Sequence, residues 1–420
     1  MTSPERLASV SVPVDFLGMH YNDFSGGAPT PSPTYSPQVW RTHSAGVDWS
    51  AIEISDNNFD WSRMDDLTQT FAGQSIYYQI YGTPAHARDS GAAWTTVPDQ
   101  DGVVGAGCVP DQAKLARFVT ALLTRYPQIK WISPWNEPKA GGNAVVRFTG
   151  ATTGSVSAGQ TVTQVTTGAT GTVLSNSGTS LVVELNGPAY SETAFNASNQ
   201  IRVDGSNYFT PTQQAAVSYW FGTLDELVTT SRAVYAAAKA ANPAVLVTTP
   251  DFVEGANVSG ENEWLATWID AGGSGSFDVV AYHFYNYEIR AATKTADAYS
   301  IIERCDAIDA VLQTRGISAP KIASECGYTS GWNFYSQINT DKTSQAATLR
   351  RVTAYLASRG WIAVIWYNHT DDFCGNPASY ATIANALDWC GKLAAKSISA
   401  AHVRQDNSLH LHLSGVAVAV

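Results

Sequence analysis

The sequence predicts an α/β protein built on a (β/α)8 TIM barrel. Three observations point there: eight short apolar runs that read as strands, amphipathic helical stretches between several of them, and two glutamates at strand ends. The strand-like runs are 16–22, 39–43, 75–82, 130–135, 245–250, 278–284, 321–325 and 362–367. Helices are expected over 112–126, where Leu115, Phe118, Val119 and Leu122 share one face, and over 212–242, 295–316 and 343–360. The second stops at Asn242-Pro243 and the last two close on Gly316 and Gly360, as helices do. An open doubly wound sheet would carry a Gly-rich phosphate loop after its first strand. Here FLGMHYNDFSGG runs into a Pro-rich segment instead.

The 420 residues exceed the ~250 typical of such a barrel, and the surplus has a location. From Phe148 to Val183 there is no charged residue, and Gly, Ser, Thr and Val dominate. Segments such as TVTQVTT, TGTVLS and SLVVEL alternate apolar with polar residues between Gly-rich turns. This predicts a β-rich module at 140–208, inserted after the fourth strand, with the barrel formed by 1–139 and 209–398. β-Branched residues in alternation argue against a disordered linker. The tail 399–420, SLHLHLSGVAVAV at its end, alternates strictly and predicts a strand or hairpin outside the barrel. His410 and His412 fall on one face of it and are read as structural or exposed, so no metal is expected.

Composition narrows the function. With 25 Lys+Arg against 36 Asp+Glu, the net charge of -11 opposes the phosphate contacts that dominate nucleic-acid affinity. Aromatics at 11% suit stacking on sugar rings instead. The five cysteines, Cys108, Cys305, Cys326, Cys374 and Cys390, show no CxxC spacing, which speaks against zinc and thioredoxin-type chemistry. Cys374 and Cys390 stay open as a pair for an oxidising setting. No apolar run approaches the ~18 residues of a membrane span, and the N-terminus shows no secretory signal.

The chemistry is written at strand ends, because the loops there form the open face of such a barrel. Trp135-Asn136-Glu137-Pro138 closes the fourth strand. Trp131, Ser133, Trp135 and Glu137 share one side by the period of two, which aims Glu137 into the mouth. Glu325 ends the seventh strand before a Gly turn. Two such carboxylates are what glycoside hydrolysis asks for, one to protonate the leaving oxygen and one to attack or to activate water.

On these motifs and the strand order, the sequence resembles clan A of the glycoside hydrolases across nearly the whole chain outside insert and tail. The resemblance implies Glu137 as acid/base, Glu325 as nucleophile and Asn136 as a ligand of the sugar 2-hydroxyl. It implies that Arg41 in VWRTH holds the nucleophile ionised, and that His283 and Tyr285 supply the H-x-Y pattern of the sixth strand. It also implies that Trp366 floors the sugar site. His43, His20 and Tyr21 lie near the mouth; His43 joins the substrate-binding set, and His20 reads as a hydrogen-bonded structural residue. VWRTH followed by Val47-Asp48-Trp49, with the YF…Y pattern after the insert, looks most like family 39, with family 5 close behind. The resemblance then implies a retaining hydrolase without a cofactor. The C-terminal β-sandwich common in exo-acting members of family 39, xylosidases among them, is not seen, so internal cleavage is expected and exo action is the alternative.

The stretch TTGATGTVLSNSGTSLVVEL also resembles short β repeats of phage tail and baseplate proteins. Together these readings predict a phage-type depolymerase acting on bacterial exopolysaccharide or capsule, carried on a virion or released outside the cell. The expected partner is an oligo- or polysaccharide, with neither nucleic acid nor membrane. The insert offers a surface for homo-oligomer formation. A non-catalytic glycan-binding protein on the same scaffold is the alternative from another class.

Overall fold

The computed structural model describes residues 10–21, 37–92, 95, 98, 103–138, 145–185, 196–216, 219–253, 263–285, 287–288, 299–328, 342–367, 377, 380–403, 409–413 and 416–419. All eight expected barrel strands are present, and they pair in parallel around a ring. In chain order they are Leu17–His20, Val39–Arg41, Ser75–Gln79, Ile129–Ser133, a split fifth strand, Val280–Tyr285, Lys321–Gly327 and Trp361–Trp366. The fifth strand is two pieces, because Pro250 lacks the N–H that a continuous ladder needs. Leu246–Val247 pairs with the fourth strand and Phe252–Val253 with the sixth. Backbone bridges Asn136–Asp251 and Thr248–Val279 close the ring between them.

Inward and outward residues alternate along these strands. Val39, Tyr77, Trp131, Val279, Ala281, Ile322, Ala363 and Ile365 fill the interior. Gly18 belongs to the same layer, and a Cβ there would come within 2.8 Å of Ile365. Outward residues such as Met19, Trp40, Tyr78, Ile132 and Val364 meet the helices in the main core. Helix Gln112–Arg125 buries the apolar face read from its sequence, and Asp111 caps it by accepting from the Ala113 and Lys114 amides. Helices Ile301–Thr314 and Lys342–Ser358 follow, and Gly316 and Gly360 beyond them take positive φ of 67° and 76°. Residues 295–298 of the first of these lie outside the described residues.

The insert is itself a closed barrel. Its six strands are Val145–Thr153, Thr161–Gln164, Thr170–Asn176, Ser180–Leu185, Ile201–Arg202 and Tyr208–Ala216. Val146, Phe148, Val162, Val173, Leu181, Val183, Ile201 and Phe209 form its core, which continues into Cys108 and Phe221 of the large barrel. This corrects one expectation. The helix read from Thr212 begins at Leu224, because residues 208–216 pair along the whole of Val145–Thr153. A capping box of Thr223 and Glu226 fixes that later start.

The tail forms strands Ser397–Val403, Leu409–Leu413 and Val416–Ala419, and Val10–Ser11 completes a four-stranded antiparallel sheet. Leu409 and Leu411 are buried in the main core. Cys390 is buried and free, while Cys374 lies outside the described residues. Among the described residues, no helix is long and apolar enough to cross a membrane.

Candidate active site

The two glutamates meet at the C-terminal mouth, and in each case a local irregularity brings them there. Regular alternation would put Ser324 and Glu325 on opposite faces, with Ile322 and Ser324 inside. The pairing with the eighth strand slips between Ala323 and Cys326, and that with the sixth between Tyr282 and His283. Ser324 is therefore the extra residue of a bulge, and the bulge turns Glu325 inward. Cys326 beyond it faces outward to the helix layer.

Glu137 is placed by strain. Its φ is +36°, a region that residues with a Cβ seldom adopt. This backbone lets Asn136 and Glu137, consecutive in sequence, both reach the mouth. The period of two anticipated Glu137 there but not Asn136. Trp135 turns aside, and its Nε1 donates to the Tyr219 carbonyl at 2.6 Å. That bond, with Trp135 edge-on to Trp220 at 4.9 Å, ties the exit point of the insert to its point of return.

Arg41 organises the floor. Its side chain is fully buried, and it donates from Nη1 to Glu325 Oε1. Nη2 donates to Asn136 Oδ1 at 2.7 Å, Gln79 Oε1 at 2.9 Å and Asp251 Oδ2 at 3.1 Å. Tyr285 donates its hydroxyl to the other Glu325 oxygen. Burial pushes the Glu325 pKa up, but Arg41 and then His283 hold it well below the usual carboxylate range. Glu325 is thus an ionised, doubly hydrogen-bonded carboxylate.

His283 lies between the carboxylates. Nδ1 is 2.6 Å from Glu137 Oε1 and 3.5 Å from Glu325 Oε2. Nε2 stands 3.6 Å from Asp251 Oδ2, an ion-pair distance just beyond a hydrogen bond. Burial pulls its pKa down, yet Glu325, Asp251 and Glu137 outweigh burial and raise it to about 9. His20 goes the other way. Its Nδ1 accepts from Arg41 at 3.1 Å and its Nε2 donates to the His43 carbonyl at 2.7 Å. Burial and Arg41 lower its pKa despite the Glu325 carboxylate 3.4 Å away, so it is neutral, and structural as expected.

The remaining expected residues divide. His43 Nε2 accepts from Asn136 Nδ2 at 3.3 Å, and burial beside Arg41 keeps the ring neutral. Among the described residues its Nδ1 and the buried Tyr81 hydroxyl have no hydrogen-bond partner, and the two rings sit edge to face at 5.0 Å. Tyr21 faces away, packed against Trp40 and Phe71. Trp366 corrects an expectation: it is 1% exposed and pairs in register with Met19 and Cys326 on the outward face. Tyr367 takes the inner position, edge-on to His20 at 4.7 Å and 6.1 Å from Tyr285. Ile365 and Ala363, two and four residues earlier and both inside the barrel, carry that signal in the sequence.

Sequence reasoning also missed Asp251, fully buried, which accepts from Tyr77 and Arg41. It follows Pro250, where the apolar run ends, so no periodicity pointed to it. One oxygen each of Glu137 and Glu325 and a ring nitrogen of His283 lie within 4.8 Å of one another.

No model of a protein family matches the sequence, and no curated protein matches it. Solved structures do. The chain superposes on a family 39 glycoside hydrolase from Bacteroides cellulosilyticus WH2 with 14% identity and a TM-score of 0.51, over 97% of this chain and 69% of that one. For the family 39 enzyme of Xanthomonas axonopodis pv. citri the values are 12% and 0.52, over 98% and 75%. A glucosidase from Croceicoccus marinus gives 13% and 0.50, over 98% and 76%. The chain has their (β/α)8 fold. At such identities the likeness carries the architecture, and the chemistry must be argued from the side chains.

Proposed function

We propose that this protein is a retaining glycoside hydrolase of the clan A type, with Glu325 as nucleophile and Glu137 as acid/base. The observation that carries this reading is the carboxylate pair: oxygens within 4.8 Å, one partner ionised and clamped by Arg41 and Tyr285. A carboxylate held ionised and hydrogen-bonded at both oxygens is set to attack carbon, as double displacement requires. Glu325 attacks the anomeric carbon as Glu137 protonates the departing oxygen. Glu137 then takes a proton from water, whose oxygen displaces Glu325. Asn136, oriented by Arg41 and beside His43, is placed to bond a sugar hydroxyl next to that carbon.

The substrate we assign is a bacterial surface polysaccharide cut within the chain. The small barrel supports this, because it leaves the large barrel directly after Glu137 and is rooted at Tyr219 beside the mouth. Its likeness to phage tail repeats supports a depolymerase role. A binding-only barrel has no use for a strained Glu137 and a buried arginine clamped on Glu325. Digestion of purified capsules and exopolysaccharides, read by product length, tests the proposal. Progressive shortening is expected; release of monosaccharide alone overturns internal cleavage, and binding without turnover across the panel overturns catalysis.

A further inference from the structure

Asp251 has no part in the two-carboxylate chemistry, yet the site is built around it. It sits at the break of the fifth strand, where its amide donates to the Trp135 carbonyl at 2.9 Å and its carbonyl accepts from the Glu137 amide at 3.0 Å. Its side chain is fully buried and takes hydrogen bonds from Tyr77 on the third strand and Arg41 on the second. The same oxygen that meets Arg41 faces Nε2 of His283 on the sixth strand. One carboxylate therefore touches the cation that clamps the nucleophile and the imidazole that contacts the acid/base.

We propose that Asp251 is a positioning residue that keeps His283 doubly protonated against Glu137, so that the two hold one transferable proton between them. This rests on the reading of Glu137 as acid/base. The distances decide where protons sit. His283 has carboxylates at both ring nitrogens, Glu137 and Glu325 at Nδ1 and Asp251 at Nε2, so each favours an N–H. The other groups around the ring are Arg41 and His20 across Glu325, His43 beyond Asn136, and the Tyr285 hydroxyl; His20 and His43 are neutral. The balance lies with the carboxylates, in line with the upward shift of this imidazole.

In the first chemical step the proton passes from Nδ1 to Glu137 and on to the glycosidic oxygen. The bond from that oxygen to the anomeric carbon breaks as the Glu325 ester forms. His283 is left neutral with its Nε2–H toward Asp251, and Glu137 is left as a carboxylate. Esterification also removes the Glu325 charge, the strongest upward influence on His283, so the pair gives up its proton when the leaving group needs it. Water restores the proton in the second step, and Glu325 leaves as a carboxylate.

The test is an NMR titration of imidazole nitrogens in protein labelled at its eight histidines, with His283→Asn assigning the resonance. In the wild type, His283 is expected to stay an imidazolium past pH 8. Asp251→Asn should lower its midpoint by at least one pH unit, a tenfold loss of proton affinity, and Asp251→Glu should restore most of it. A wild-type His283 that is neutral at pH 7 overturns the proposal without any variant. So does an unchanged midpoint in a folded Asp251→Asn protein. The titration needs no substrate, so the expected midpoints with no turnover on the glycan panel would sink the hydrolase reading and leave the proton pair standing.

Discussion

The two barrels of this chain differ in what their irregularities carry. In the small one, bulges at Leu174 and Thr212 and a Thr166 at φ of 82° bury no charge, apolar residues face a single core, and other turns fall on glycines such as Gly159, Gly168 and Gly178 at φ of 83°, 72° and 88°. No charged residue occurs from Phe148 to Val183. The mouth of the large barrel joins such irregularities to buried charge. It holds Glu137 at positive φ, a bulge at Ser324, a split strand and a buried arginine between two carboxylates. Such departures cost stability and persist where the surroundings over-determine them. The difference separates a region shaped to fold from one shaped to react.

Four perturbations bear on that contrast, the largest first. Glu325→Ala should reduce glycan hydrolysis on the order of 10⁴-fold, measured by initial rates on any polysaccharide the wild type cuts. Arg41→Met leaves Glu325 and Asp251 facing each other without their shared cation. We expect a loss of about 3–5 kcal/mol in urea unfolding, as for other broken buried pairs. Retention of wild-type stability would mean that the network is not the strained element we describe.

The third perturbation is pH. The folded-state pKa of His283 is raised from 6.5 to about 9, so its contribution to stability is complete below 6.5 and is lost as pH rises toward 9. Unfolding midpoints of the large barrel should fall across that window. Hydrogen exchange in strands 161–164 and 170–176, which carry no titrating side chain, should show no matching change in protection beyond the intrinsic rate. The smallest effect belongs to Gly178→Ala. Among the described residues, no atom beyond the two chain neighbours lies within 4 Å of the added Cβ, so the backbone conformation is what resists. A cost of about 1–2 kcal/mol to the small barrel is expected, with hydrolysis unchanged. A fall in activity would show that the small barrel takes part in binding substrate.

Legibility in the sequence follows the same division. All eight strands of the large barrel were readable, because inward and outward residues alternate and each run ends at a turn. Glu137, Glu325, Arg41, His283 and Tyr285 come together as their strand positions suggest. The rest fails for identifiable reasons. A bulge leaves no compositional mark, so the inward turn of Glu325 at Ser324 was invisible. The clan A resemblance points to Trp366, a tryptophan at the strand end, while the parity set by Ala363 and Ile365 points to Tyr367. Asp251 was hidden by Pro250, which ends the periodic pattern one residue too early. The strand end 212–216 reads as helix because QQAAVSYW carries helix-forming residues up to the true cap at Thr223.

The central claim is double displacement by Glu137 and Glu325. Proton NMR of the first anomer released from a cleaved polysaccharide, recorded before mutarotation, tests it most directly. Our account predicts that the new reducing end keeps the configuration of the bond that was cut. Inverted product would contradict it, because Glu325 would then have activated a water instead of attacking the anomeric carbon itself.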